Sequence, residues 1–264
     1  MIFVPFLTAG FPTPSLFKKM LFVLEEEGAG MIEIGVPYSD PLADGPTIQQ
    51  SSLRAIDQGM NIRTVLEIVK EVREEGLKVP LILFTYYNPL LQIGLDQLAK
   101  EVAEVGLNGA LVPDLPLEES EPLQQALKAY DLPLISLIAP TSKERIEKVA
   151  KQAEGFIYIV SSLGVTGERS QFHDQIRPLI QNVKQHAHVP VFLGFGIKQR
   201  SQLGALENEL DGFVIGSALI RAIEGIEREL DGTLDSSRMV STQSERYESQ
   251  FIHRFRQVVQ EVQR

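Results

Sequence analysis

The stretch Met31-Ile-Glu-Ile-Gly-Val-Pro-Tyr-Ser-Asp-Pro-Leu-Ala-Asp-Gly-Pro-Thr-Ile48 reads as a strand, a shaped loop and the start of a helix. Its short apolar run is interrupted by one acid, Glu33, and the Pro- and Gly-rich loop carries a second, Asp44, eleven positions on (44 − 33 = 11). The strands of this chain have the composition of parallel strands covered on both faces, where an unpaired glutamate is costly. Apolar crowding raises a carboxyl pKa, so Glu33 can carry a proton near neutrality. An acid in a polar loop stays ionised and can stabilise positive charge. Two acids in two environments can play two roles. A structural reading stays open beside this one, because Asp before Gly is a common turn residue and Asp40 or Asp44 could cap the next helix.

The same strand-then-helix grammar extends outward in both directions. Runs rich in Ile, Val, Leu and Phe at 2–8, 31–35, 81–86, 109–112, 134–137, 156–160, 191–194 and 212–215 predict eight strands. Between them lie apolar residues at helical spacing, such as Leu95, Leu98, Ala99, Val102 and Val105, or Ile176, Leu179, Ile180 and Val183. Units of about 33 residues (264 / 8) predict a single α/β domain, a closed (βα)8 TIM barrel, with an open doubly wound sheet as the alternative. In either fold the ligand lies at the C-terminal ends of the strands. Those ends carry Glu33 and Asp44, then Tyr86 and Asn88, then Asp114, then Tyr158. The loops after strands six, seven and eight hold Gly164-Val-Thr-Gly167, Gly194-Phe-Gly196 and Gly216-Ser217, the last leading into a helix. Each glycine alone fits a tight turn; three such loops in succession offer backbone N–H groups and a helix N-terminus for a phosphate.

Composition sets the outer bounds. The 264 residues are 44% hydrophobic and 23% charged, enough for a large core, and no Pro/Gly/Ser linker divides them. Thirty-five acidic against 25 basic residues give a net charge of −10, which disfavours nucleic acid and anionic membranes. The absence of cysteine excludes thiolate chemistry and disulfides, and the first residues lack a signal-peptide pattern, so a cytoplasmic enzyme is expected. None of the four histidines falls at a strand's C-terminal end, so no metal site is expected. Lys198 reads as a solvated helix-start residue rather than a Schiff-base lysine. No P-loop or dinucleotide fingerprint follows a strand. Acid–base chemistry by carboxyl groups remains.

The segment from Glu33 to Gln49 closely resembles the signature of the tryptophan synthase alpha family. Further segments agree in order: Phe3-Val-Pro-Phe-Leu-Thr-Ala-Gly10, Tyr86-Tyr-Asn88, Pro113-Asp-Leu-Pro-Leu-Glu-Glu119, Ser161-Ser-Leu-Gly-Val-Thr-Gly167, Gly194-Phe-Gly-Ile197 and Ile215-Gly-Ser-Ala218. The resemblance implies retro-aldol cleavage of indole-3-glycerol phosphate to indole and glyceraldehyde 3-phosphate, in a (βα)8 barrel without a cofactor. By motif, Glu33 would protonate indole C3 and then take the C3′ hydroxyl proton, and Asp44 would accept the indole N–H and stabilise the indolenine cation. Phe6, Tyr86, Tyr158 and Phe195 match pocket positions around the indole and glycerol parts; Gly167, Gly196, Gly216 and Ser217 match the phosphate cradle. Thr166 would contact Asp44 when a lid at 164–167 closes. The implied partner is a beta subunit holding pyridoxal phosphate, in an alpha2beta2 tetramer, facing Asp40, Pro41, Asn88, Asp114 and Pro116.

Departures from the family's pattern are confined to the periphery. The chain begins directly at the first strand, where the family has a further helix over the barrel bottom, and lower stability or solubility is expected. Ser162-Leu163 replaces a basic-polar pair ahead of the lid. Residues 1–230 form the expected catalytic barrel; beyond them, residues 231–264 comprise a polar connection and an amphipathic helix with Phe251, Phe255, Val258, Val259 and Val262, expected to dock on the barrel. Two other readings are a stand-alone lyase with the same site and a non-catalytic subunit that only activates a beta chain. Binding alone needs no proton shuttle, so Glu33 and Asp44 speak against the second.

Overall fold

The computed structural model describes residues 1–142, 144–160, 169–194, 196–231 and 241–264. Eight parallel strands close into a barrel in sequence order, which removes the open-sheet alternative. They are β1 (Ile2–Thr8), β2 (Ile32–Gly35), β3 (Leu81–Phe84), β4 (Ala110–Leu111), β5 (Leu134–Ile138), β6 (Glu154–Val160), β7 (Val191–Gly194) and β8 (Gly212–Ile215). The helices are α1 (Pro14–Glu26), α2 (Pro46–Asp57), α3 (Ile62–Glu74), α4 (Tyr87–Ile93), α5 (Leu95–Glu104), α6 (Glu121–Lys128), α7 (Ile146–Gln152), α8 (Arg169–His186), α9 (Ser217–Asp231) and α10 (Ser241–Val262). Five of the eight strands differ from their expected bounds, β2, β5 and β6 by one or two residues and β3 and β4 by two. β3 ends at Phe84, and Tyr86 instead precedes the first turn of α4. β4 is only two residues long, because Val112 leads directly into the turn around Pro113.

Strand parity divides the chain into two apolar layers. Ile32 and Ile34, like Leu81 and Leu83, belong to the layer between barrel and helices. Phe6, Ile82, Phe84, Leu111, Tyr158 and Val214 belong to the barrel interior. Glu33 lies between Ile32 and Ile34, and its register partners are Phe6 on β1 and Ile82 on β3. Alternation therefore turns the Glu33 side chain into the interior, among aromatic and aliphatic neighbours.

The tail helix α10 buries Phe251, Phe255 and Val259 completely, against α1 and α9. A polar seam flanks that contact: Arg256 pairs with Glu26 and Glu27, and Gln263 Nε2 donates to the Glu27 carbonyl at 2.9 Å. Among the described residues no helix is long and apolar enough to cross a membrane.

Candidate active site

A cavity of about 160 Å³ opens at the C-terminal end of the barrel, and Phe6, Glu33, Asp44, Tyr158, Gly196, Gly216 and Ser217 all line it. Glu33 is fully buried, and among the described residues both its carboxyl oxygens lack a hydrogen-bond partner. With no donor or positive charge to favour ionisation, burial pushes its pKa from 4.5 to about 8. At neutral pH the side chain is therefore a protonated acid directed into a nonpolar chamber. Its shape is kept by Gly35, two residues on, where any Cβ would collide with the Phe6 ring.

An unpartnered buried acid carries a stability cost with a definite pH dependence. Glu33 titrates near 4.5 unfolded and about 8 folded, so its full contribution is present below about 4.5 and is lost as pH rises toward about 8. The loss at pH 7 is roughly 3 kcal/mol. Replacing Glu33 by Met, of similar length and without a charge, should raise Tm at pH 8 and raise it less at pH 5. Thermal unfolding at the two pH values checks this; an equal gain at both would remove the titration as its cause.

Asp44 is half-buried in the loop between β2 and α2. Burial pushes its pKa up, and the Tyr86 hydroxyl beside it opposes the rise. The acid expected in a polar loop is thus partly desolvated, since packing against Tyr86 removes part of its water. Asp44 does not cap α2, because Gly45 occupies that position and has no side chain with which to cap it. Asp40, also considered as a cap, is exposed and accepts the Ser39 hydroxyl at 2.7 Å. The loop is pinned at several points. The Tyr86 hydroxyl accepts the Ala43 N–H at 3.0 Å, Gln49 Nε2 donates to the Asp44 carbonyl at 2.7 Å, and the Tyr38 ring stacks on Tyr86 at 5.1 Å.

The opposite wall is suited to an anion. Gly196 has φ +79°, in the left-handed region, and Gly216 precedes Ser217, the first residue of the 15-residue helix α9. Thr166, Gly167 and Phe195, and the whole expected lid at 164–167 with Ser162 and Leu163 ahead of it, lie outside the described residues.

A larger cavity of about 790 Å³ shares Phe84, Tyr158 and Gly196 with the first, so the two are lobes of one site. Its walls are mainly apolar, with Val112, Leu137 and Val160 at the strand ends. Burial, with Glu33 and Asp44 nearby, keeps the Tyr158 phenol well above its usual pKa and hence neutral. Tyr86 lines neither lobe directly and acts through Asp44's loop. Asp114 and Pro116 line the larger lobe, and the Asp114 carboxylate accepts the Tyr87 N–H at 3.0 Å, fixing the start of α4. Asn88 donates to the Tyr38 hydroxyl at 3.2 Å, and Pro41 is half-buried at the rim. Phe84, Ile48 and Val214 also line the site and were not singled out from the sequence. Strand parity would have indicated Phe84 and Val214; Ile48, in the first turn of a helix, carried no comparable signal.

The arrangement can donate a proton to an electron-rich ring, stabilise the resulting cation with a second carboxyl group, and hold an anionic tail at the start of α9. A family model described as "Tryptophan synthase alpha chain" matches residues 1–250. The chain is 48% identical to the tryptophan synthase alpha chain of Halalkalibacterium halodurans, over 91% of this chain and 93% of that one. It is likewise 48% identical to that of Bacillus subtilis strain 168, over 87% and 86%. Among solved structures, it is similar to a chain from a study of mutual activation in the tryptophan synthase a2b2 complex of Pyrococcus furiosus. That match has a TM-score of 0.84 at 32% identity, covering 99% of this chain and 97% of that one.

Proposed function

The chain belongs to the tryptophan synthase alpha chain family, and we propose that Glu33 and Asp44 are the two carboxyl groups with which it carries out the family's reaction. That reaction is the retro-aldol cleavage of indole-3-glycerol phosphate to indole and glyceraldehyde 3-phosphate. The observation that carries the assignment is the buried Glu33, its carboxyl oxygens unpartnered among the described residues, in the same cavity as Asp44, Gly196, Gly216 and Ser217.

Glu33 gives its proton to indole C3, which places positive charge on the ring nitrogen. Asp44 accepts the indole N–H and favours that cation over the neutral ring, so its effect is greatest where charge has developed. The Glu33 carboxylate then takes the proton of the C3′ hydroxyl. As that oxygen becomes the aldehyde carbonyl, the C3–C3′ bond breaks and its electron pair restores the indole. One proton is given and one taken back, so Glu33 ends the cycle as it began. The larger, apolar lobe suits the indole ring, and the wall formed by Gly196, Gly216 and Ser217 suits the phosphate.

The anion end can be tested separately from the chemistry. Ser217→Asp adds a negative charge where the phosphate would bind, yet acidic residues are favourable in the first turn of a helix, so α9 should persist. KM for indole-3-glycerol phosphate should rise about a hundredfold, while kcat/KM for the dephosphorylated indole glycerol changes little. Steady-state kinetics with both substrates decides. An equal effect on the two would remove the phosphate from this wall.

The partner is a tryptophan synthase beta subunit in an alpha2beta2 assembly; the pyridoxal phosphate of the combined pathway step belongs to that subunit, and this chain works without a cofactor. Support comes from the similarity to the a2b2 complex and from apolar residues exposed at the rim beside Asp40, Pro41 and Asn88, notably Leu42, 85% exposed. The same reading takes residues 1–230 as the catalytic barrel, 231–264 as a strap docked on it, and the cytoplasm as its location.

A further inference from the structure

Six polar residues are buried among the described ones, and two of them, Thr8 and Ser51, meet beneath the catalytic loop. Thr8 ends β1, where its register partner is Gly35, two residues past Glu33 on β2. Ser51 lies on α2, which faces the barrel with Ser51, Ser52 and Ala55, whereas α3 does so with Val65, Leu66, Ile68, Val69 and Val72. A helix that only needed to pack would gain more from aliphatic side chains at those places.

The hydroxyl oxygens of Thr8 and Ser51 are 2.7 Å apart, and Ser51 Oγ also donates to the Ile48 carbonyl at 2.8 Å. A serine has one hydroxyl hydrogen. With that hydrogen given to Ile48, the Thr8 hydroxyl must be the donor to Ser51. The result is a directed chain from the end of β1, through Ser51, to the first turn of α2. Ile48 lines the cavity with Glu33 and Asp44 and packs against the barrel interior. The same turn binds the catalytic loop: Ile48 and Gln49 donate backbone N–H groups to the Gly45 carbonyl at 3.0 Å, and Gln49 Nε2 holds the Asp44 carbonyl.

We propose that Thr8 and Ser51 are positioning residues for catalysis, a buried hydroxyl relay that sets the first turn of α2 against β1 and thereby fixes Asp44 and the Ile48 wall over Glu33. The inference rests on the role given to Asp44 above. A hydrogen bond has a narrow range of length and angle, so the relay fixes the turn's height and rotation where methyl contacts would let it slide. Small displacements of a catalytic group are expensive in rate.

The test is a set of variants measured for Tm, kcat and KM with indole-3-glycerol phosphate: Thr8→Val, Ser51→Ala, the double variant T8V/S51A, Thr8→Ser and, as reference, Asp44→Asn. Thr8→Val leaves Ser51 bonded only to the Ile48 carbonyl and Ser51→Ala leaves the buried Thr8 donor without its acceptor, so Tm falls in both, more in Ser51→Ala, and kcat falls about ten- to a hundredfold with KM little changed. In the double variant both hydroxyls are gone, so Tm returns toward the wild-type value while kcat stays low. Thr8→Ser, which keeps the donor, recovers most of the rate lost in Thr8→Val. A double variant whose kcat recovers together with its Tm, or single variants that lose Tm at an unchanged kcat, would make the pair purely structural and overturn the proposal. A wild-type rate in Asp44→Asn overturns the reading of Asp44 and this inference with it. A slow Asp44→Asn beside a fast double variant overturns this inference alone.

Discussion

Glu33→Gln should lower kcat by at least ~10²- to 10⁴-fold, the range typical of general acid–base catalysis, because one group here serves two proton transfers. The amide keeps the shape of the carboxyl group, so the surrounding Phe6 and Ile82 layer is undisturbed. Gln can neither release a proton to indole C3 nor accept one from the C3′ hydroxyl. The wild-type enzyme needs Glu33 protonated at the outset, and its pKa is about 8, so kcat/KM should fall as pH rises past about 8. That alkaline limb should be absent from whatever residual activity the variant retains. Steady-state indole release measured on both sides of pH about 8 checks both points. A variant retaining more than about a tenth of the wild-type kcat would remove Glu33 from the proton transfers.

Asp44→Asn should cost about 10²- to 10³-fold in kcat, the scale found when one group aimed at developing charge is removed. Asn fits the same loop, where the Tyr86 hydroxyl still accepts the Ala43 N–H and Gln49 still holds the backbone carbonyl. It can accept a hydrogen bond from the indole N–H but carries no charge to oppose that of the indolenine. Because the interaction strengthens only as the cation forms, the loss belongs in kcat, with KM changed little. A variant with raised KM and normal kcat would instead make Asp44 a ground-state binding residue.

Sequence and structure agree most where a local pattern has one solution. Apolar runs of strand length separated by helical spacing allowed few arrangements, and the βα order together with even unit length pointed to a closed barrel. The ends of elements were less legible. Tyr86 reads as strand by its apolar neighbours Leu81 to Phe84, yet the next turn of chain is α4, whose first N–H is bound by Asp114 from a different loop. Glu33 was legible as a buried acid because a single carboxyl in an apolar run must point somewhere, and parity sends it inward. The environment of Asp44 was not, since its partial burial depends on Tyr86, which arrives from 42 positions further along the chain (86 − 44 = 42). The Thr8–Ser51 bond joins residues 43 positions apart, a pairing that no local periodicity encodes.

The most direct test of the whole account is to supply the purified chain with indole-3-glycerol phosphate and follow indole release, alone and with a beta subunit, alongside Glu33→Gln. The wild-type chain should release indole and glyceraldehyde 3-phosphate in equal amounts, and the beta subunit should raise its kcat by roughly 5- to 150-fold, the range of typical coupling energies. Glu33→Gln should stay near background in both conditions. Wild-type chain that releases no more indole than Glu33→Gln, with or without the beta subunit, would contradict the account.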